Sequence, residues 1–187
     1  MSYRSQIVRI TAVCVLMAAA GSVPSRAQVL NSAARPISLQ AVLNDSITVN
    51  LSSNAVNFNL VRGSANNPGD RSITATTIWT LTPLIGFVRT YAYFSSSAAA
   101  LTDGAGNNIP SADFQISDNG GAFQPLNTTV PFGGANAGRR LFNQFIFINN
   151  RIGTHTDVMT FNINLAPFPN LPANNYTGIL NIQAQAF

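Results

Sequence analysis

Apolar residues return at every second position through most of this chain, and that periodicity restricts it to extended structure. Ile37, Leu39, Ala41 and Leu43 alternate with polar neighbours, as do Ile47, Val49 and Leu51, then Val56, Phe58 and Leu60. Successive side chains of a strand point to opposite faces, so each run has one face to bury and one to leave wet. Asn, Ser, Gly or Asp bound the runs, and these residues favour turns. Further strands are predicted over Ser72–Thr82, which holds Trp79, and over Phe87–Phe94. Beyond a loop from Ser95 to Ser111, Phe114–Ser117 and Phe123–Leu126 flank Asp118-Asn119-Gly120-Gly121, a hairpin signal. Arg140–Ile148 is apolar on both faces and reads as a central strand. Thr156–Leu165 and Tyr176–Ala186 close the series, joined through PFPNLP. Short alternating strands with turns between them, and no amphipathic helix, predict an all-β chain folded as a single immunoglobulin-like antiparallel β-sandwich.

The first residues break this pattern. Arg4 and Arg9 precede the apolar run Ile10–Ala20, and Ser25-Arg26-Ala27 puts small residues where a signal peptidase reads. Met1–Ala27 is therefore expected to be a signal peptide, with Ala18-Ala19-Ala20 as an alternative cleavage point, and residues 28–187 to be the sandwich domain. The apolar run falls short of the ~20 residues a span requires, so no transmembrane segment is expected in the mature chain. A periplasmic, cell-surface or extracellular location follows. The one cysteine, Cys14, would leave with the leader, so burial and hydrogen bonds must hold the fold without disulfides.

Charge narrows the partners. The chain has no Lys and no Glu, and charged residues make up 9% of it, against about 25% in average domains. After Ala27, seven Arg face six Asp, a net of +1. A nucleic-acid-binding protein needs a clustered basic face, whereas the only adjacent basic pair is Arg139-Arg140, read as a solvated strand start. No nucleic-acid partner is expected.

The last two strands echo one another. GTHTDVMTFNINL (Gly153–Leu165) aligns without gaps on NNYTGILNIQAQA (Asn174–Ala186), and both keep one inward parity. The first copy points Met159, Phe161, Ile163 and Leu165 inward; the second points Leu180, Ile182, Ala184 and Ala186 inward. ILNIQAQAF carries no Lys, no charge and no Pro, the devices that blunt sheet edges. At an edge it would pair with another chain by strand addition; in mid-sheet it would be paired on both sides. Leu171-Pro172 followed by Tyr176 further reads as a tyrosine corner, the phenol bonding back to the chain just upstream.

The pattern Gly-x-(Tyr/His)-Thr-(Asp/Gly)-x-hydrophobic-x-hydrophobic in these strands, together with GNNIPSADFQIS (Gly106–Ser117), resembles exported bacterial β-sandwich proteins, notably the pilin-like subunits related to spore coat protein U. The resemblance implies an immunoglobulin-like domain, often assembled by donating a strand to an incomplete neighbour.

Catalytic chemistry has few groups to use. His155 and Asp157 stand two apart and so share a strand face, but no G-x-S-x-G elbow supplies a nucleophile, and a local hydrogen bond accounts for the pair. Asp103, Asp113 and Asp118 offer carboxyls for glycoside hydrolysis, a trio that any six Asp would provide. In DGAGNNI, Asp103, Asn107 and Asn108 are too few oxygen ligands for a calcium loop and suit a tight turn. No catalytic residue, metal or cofactor is expected. Trp79 shares parity with Ile73 and Leu81 and reads as core. Tyr91 and Tyr93 share a face with Arg89, and if wet that face would stack on sugar rings. The sequence thus predicts a non-enzymatic exported structural or surface-assembly protein, pilin-like, whose partners are itself or other surface subunits. The alternative is a secreted carbohydrate-binding module.

Overall fold

Alternation requires a partner before it becomes a sheet, and the computed structural model shows which runs find one. It describes Arg35 and residues 37–41, 44–82 and 86–187; the expected signal peptide lies outside them. The chain divides into two compact units, Met1–Ala41 and Val42–Phe187. In the first, the described residues form no helix or strand, and Ile37 and Leu39 are 82% and 92% exposed. The strand predicted over Ile37–Leu43 is thus absent from 37–41, while Val42 and Leu43 lie outside the described residues. Alternation supplies an amphipathic face there, without a second strand to take up the backbone hydrogen bonds.

The second unit contains eleven strands among its described residues: β1 (Ser46–Leu51), β2 (Asn67–Pro68), β3 (Ile73–Thr80), β4 (Gly86–Tyr93), β5 (Leu101–Thr102), β6 (Asn108–Ile109), β7 (Phe114–Asp118), β8 (Gln124–Pro125), β9 (Gly138–Ile146), β10 (Ile152–Ile163) and β11 (Asn181–Ala186). They form an antiparallel β-sandwich. One sheet runs β1-β3-β10-β7-β8, with β2 also on β10; the other runs β11-β4-β9; β5 and β6 make a small separate ribbon. The two sheets meet through side chains. Thr77 of β3 and Thr90 of β4 share a hydroxyl hydrogen bond of 2.9 Å, and the Phe142 ring of β9 stacks on His155 of β10 at 3.7 Å.

Inward parity matches the sequence pattern. β3 buries Ile73, Ala75, Thr77 and Trp79, and β10 buries Asp157, Met159, Phe161 and Ile163, with Leu165 just beyond. Of these, Ile73, Ala75, Met159, Phe161, Ile163 and Leu165 join Phe94, Phe114, Ile116 and Leu126 in one apolar core, and Trp79, Val88 and Ile146 form a smaller one. Burying each such side chain contributes about 1.5–3 kcal/mol. The Trp79 indole donates to the Asn150 carbonyl at 3.0 Å, satisfying its polar end. The β7–β8 hairpin turns as its sequence requires: Asn119 and Gly120 have φ of 50° and 75°, and the Gly121 N–H donates to the Asp118 carbonyl. Positive φ at both central residues is the turn whose twist suits a hairpin.

Three expectations are corrected. Val56–Leu60 is not a strand: its apolar residues pack on the core, but its backbone bridges only at Phe58–Gly69, because β1 occupies the edge of β3 as far as Leu51–Ala75. Arg140–Ile148 is not central. β9 pairs along its length only with β4, at the sheet's edge, and it is apolar on both faces because Phe145 packs outside against Phe87. Arg139 is not a solvated strand start; a register shift sets it opposite buried Ala92, so it turns inward, while Arg140 stays exposed.

Gly153 lies directly beneath Trp79, and a β-carbon there would run into the indole ring. Gly153→Ala should lower stability by about 1–3 kcal/mol, as overpacking does. Denaturant unfolding followed by the fluorescence of the single Trp checks this, and an unchanged midpoint would contradict the packing described.

Candidate functional site

The last strand lies at an edge. β11 pairs with β4 from Asn181–Tyr93 to Ala186–Val88, and no strand among the described residues pairs with its other side. The expected assembly residues hold their inward parity: Leu180 and Ile182 pack on the main core, Ala186 packs on the smaller one, and Ala184 is half-buried. Phe87 and Phe187 exchange backbone hydrogen bonds, so alternate β11 residues, 181, 183 and 185, also bond toward β4. The N–H and C=O of Ile182, Ala184 and Ala186 therefore point to the open side.

Beside this edge the sandwich is hollow. A cavity of about 910 Å³ lies between the irregular segment 51–62 and the approach to β11, residues 171–182, floored by Ile73, Phe114, Met159 and Phe161. Its second wall is shaped by the tyrosine corner: the Tyr176 hydroxyl donates to the Pro172 carbonyl at 3.0 Å. Its first wall is tied back by Asp70. The Asn57 backbone N–H and side-chain amide donate to the two Asp70 oxygens at 3.0 and 3.1 Å, and Arg71 makes two further bonds at 3.2 and 2.9 Å. The Arg71 bonds, then those from Asn57, hold the Asp70 carboxyl well below the usual carboxylate range.

The aromatic pair ends up elsewhere than the sequence placed it. Tyr91 and Tyr93 do face outward with Arg89, yet Tyr91 is only 4% exposed. Phe132, carried by the loop before β9, closes over both rings at 5.8 Å, and the Tyr93 hydroxyl donates to Gln183 at 2.7 Å. Tyr91 is therefore not a surface for sugar rings. The exposed aromatics of that sheet are Phe145 and Phe187, with Phe87 between them. The Arg89 guanidinium lies over Phe87 and Phe187 at 4.9 and 4.6 Å, and its Nε donates to Asn143 at 2.7 Å.

The titratable groups separate by role. Asp103 organises a turn, accepting from the Ala105 and Asn107 backbones and from the Asn107 and Asn174 amides; the Asn107 amide is the main cause of its lowered pKa. Asn108 lies in β6. Asp113 and Asp118 are separated by the length of β7, roughly 16 Å at about 3.3 Å per residue, too far for a glycosidase pair. His155 Nε2 and Asp157 Oδ1 do meet, at 2.9 Å. Asp118 comes to lie beside Asp157 although 39 residues separate them along the chain; no local pattern marks the meeting, which the β7–β10 register produces.

Asp70 yields a signed prediction. A carboxyl whose folded pKa is depressed below that of a free aspartate contributes stability that is present above the unfolded pKa and lost as pH falls through the folded one. Asp70→Asn at neutral pH should lower the amide protection factor of Asn57 while that of β10 persists, and acidification well below the ordinary Asp pKa of about 3.9 should lower it in the wild type. Unchanged protection at Asn57 would refute the clamp. Comparison with family models, with curated proteins and with solved structures gives no match to this chain.

Proposed function

We propose that this chain is an exported, non-enzymatic structural or surface-assembly protein, pilin-like, that associates through β-strand addition with further copies of itself or with other surface subunits. The observation that carries this reading is the edge of β11, unpaired among the described residues, beside a hollow floored by core side chains. An added strand would take up the free N–H and C=O groups of Ile182, Ala184 and Ala186, while its alternate side chains would enter the cavity, the combination by which strand addition gains affinity and specificity. Export rests on the leader-like residues Met1–Ala27, and places assembly in the periplasm, at the cell surface or outside the cell. The non-enzymatic reading rests on His155, whose Nε2 is engaged by Asp157 and whose ring is stacked against Phe142.

The test separates folding from assembly. Residues 28–187 should form concentration-dependent oligomers or fibres by sedimentation and electron microscopy. Ala184→Pro removes an N–H that faces away from β4, a position where edge strands tolerate Pro; it should keep the β circular-dichroism spectrum and lose the oligomers. Gln183→Lys, a charge on an exposed edge residue, should act in the same direction. A wild type that stays monomeric at every concentration, or folded variants that assemble as the wild type does, would overturn the proposal.

A further inference from the structure

The side of the sandwich away from β1 and β11 holds two carboxylates, each with one buried oxygen that no group among the described residues bonds. Asp118 ends β7, and the register sets it opposite Met159 of β10. Asp157, two residues along β10, is thus its diagonal neighbour on the same inner face, within side-chain reach. Among the described residues, the buried side-chain oxygens and nitrogens lacking a hydrogen-bond partner are Asp118 Oδ1 and Asp157 Oδ2, one from each member of the pair. The Asp157 side chain is 1% exposed, so bulk solvent does not reach it. Buried polar atoms are bonded in the great majority of cases, and a pair of orphaned acceptors side by side calls for a shared donor.

The surrounding groups do not provide one. On β10, His155 is committed to the other oxygen of Asp157. On β3, Ala75 is the register partner of Asp157, and the hydroxyl of its inward neighbour Thr77 is engaged with Thr90. Across the sandwich, β9 sends Arg139 inward opposite Ala92; its charge acts on Asp118, but no ion pair forms between them. A hard cation takes six to eight oxygens, and no group of three His, Cys, Asp or Glu is placed to hold a metal among the described residues. A proton requires only the two oxygens present, because a protonated carboxyl donates and an ionised one accepts.

We propose that Asp118 and Asp157 form a proton-binding pair, one proton held between Asp118 Oδ1 and Asp157 Oδ2 joining β7 to β10, and that its loss at higher pH loosens the β7 edge of the sandwich. Burial, then the charge of Asp157, raises the Asp118 pKa, with His155 and Arg139 pulling against them. The sign follows: a carboxyl whose folded pKa is raised contributes stability that is complete below its unfolded pKa and lost as pH rises through the folded one. This is the opposite sense to Asp70. Two carboxyls coupled in this way titrate as a pair, so the readout must resolve both.

The full chain, labelled with 13C and titrated by carbonyl-detected NMR, tests this directly. The Asp118 and Asp157 carboxyl signals should move together in a single step that lies above the ordinary Asp range. His155→Gln should retain the step, which excludes the imidazole as its source. Asp118→Asn should abolish it and flatten the fall in thermal midpoint that accompanies the rise of pH above the ordinary Asp range. Independent titration of both carboxyls in the ordinary range would overturn the proposal, whatever the variants do. So would a step that survives Asp118→Asn, or one whose midpoint moves with added calcium chloride at fixed ionic strength.

Discussion

The backbone of β10 must be satisfied on two sides while its inner row is buried, and the larger sheet is arranged around that requirement. β3 takes residues 152–159 on one side and β2 takes 162–163; β7 takes 159–163 on the other. Buried N–H and C=O groups left unpaired are rare because each costs about as much as a lost hydrogen bond. That is why two-residue β2 exists at all: Asn67 receives the Asn162 side-chain oxygen on its N–H and returns its own amide to the Ile163 carbonyl, closing the ladder where β3 has ended.

The same strand is polar at its start and apolar at its end, and the two ends give the sandwich different characters. From Met159 onward the inner row makes the core and the floor of the cavity. Before it, His155 and Asp157 place titratable groups between the sheets, roofed by Phe142 and flanked by the Thr77–Thr90 bond. A buried carboxylate is costly unless paired, so this end persists only with its hydrogen atoms in specified places. The apolar end is tolerant of what fills it; the polar end is not.

Much of the architecture was legible in the sequence because period-2 patterning in half-buried strands leaves little choice of face. The inward sets of β10 and β11, the turn at Asn119-Gly120, the tyrosine corner at Tyr176 and the burial of Trp79 all follow from local pattern. What escaped depends on contacts distant in sequence. Val56–Leu60 alternates without a ladder because β1 holds the adjoining edge. Tyr91 is covered because Phe132, some forty positions later, folds back over it. β9 mimics a central strand because a row of phenylalanines lies outside the sheet. The cavity and the Asp118–Asp157 meeting are products of register, which no single segment encodes.

The two edges of the three-stranded sheet differ in a way that bears on assembly. β9 carries Arg139 and Arg140, changes register against β4 at Thr90–Tyr91, and is bridged near its start by Thr128 on Gly138. Charges, irregularities and covering loops are the means by which proteins keep an edge from pairing. Among the described residues β11 has none of these: Asn181–Ala186 is regular in register, uncharged and free of Pro. If unpaired edges were merely tolerated in this fold, both should be equally guarded or equally bare. One guarded edge and one bare edge on the same three strands is the asymmetry that the proposed strand addition requires, and it is the bare side that adjoins the hollow.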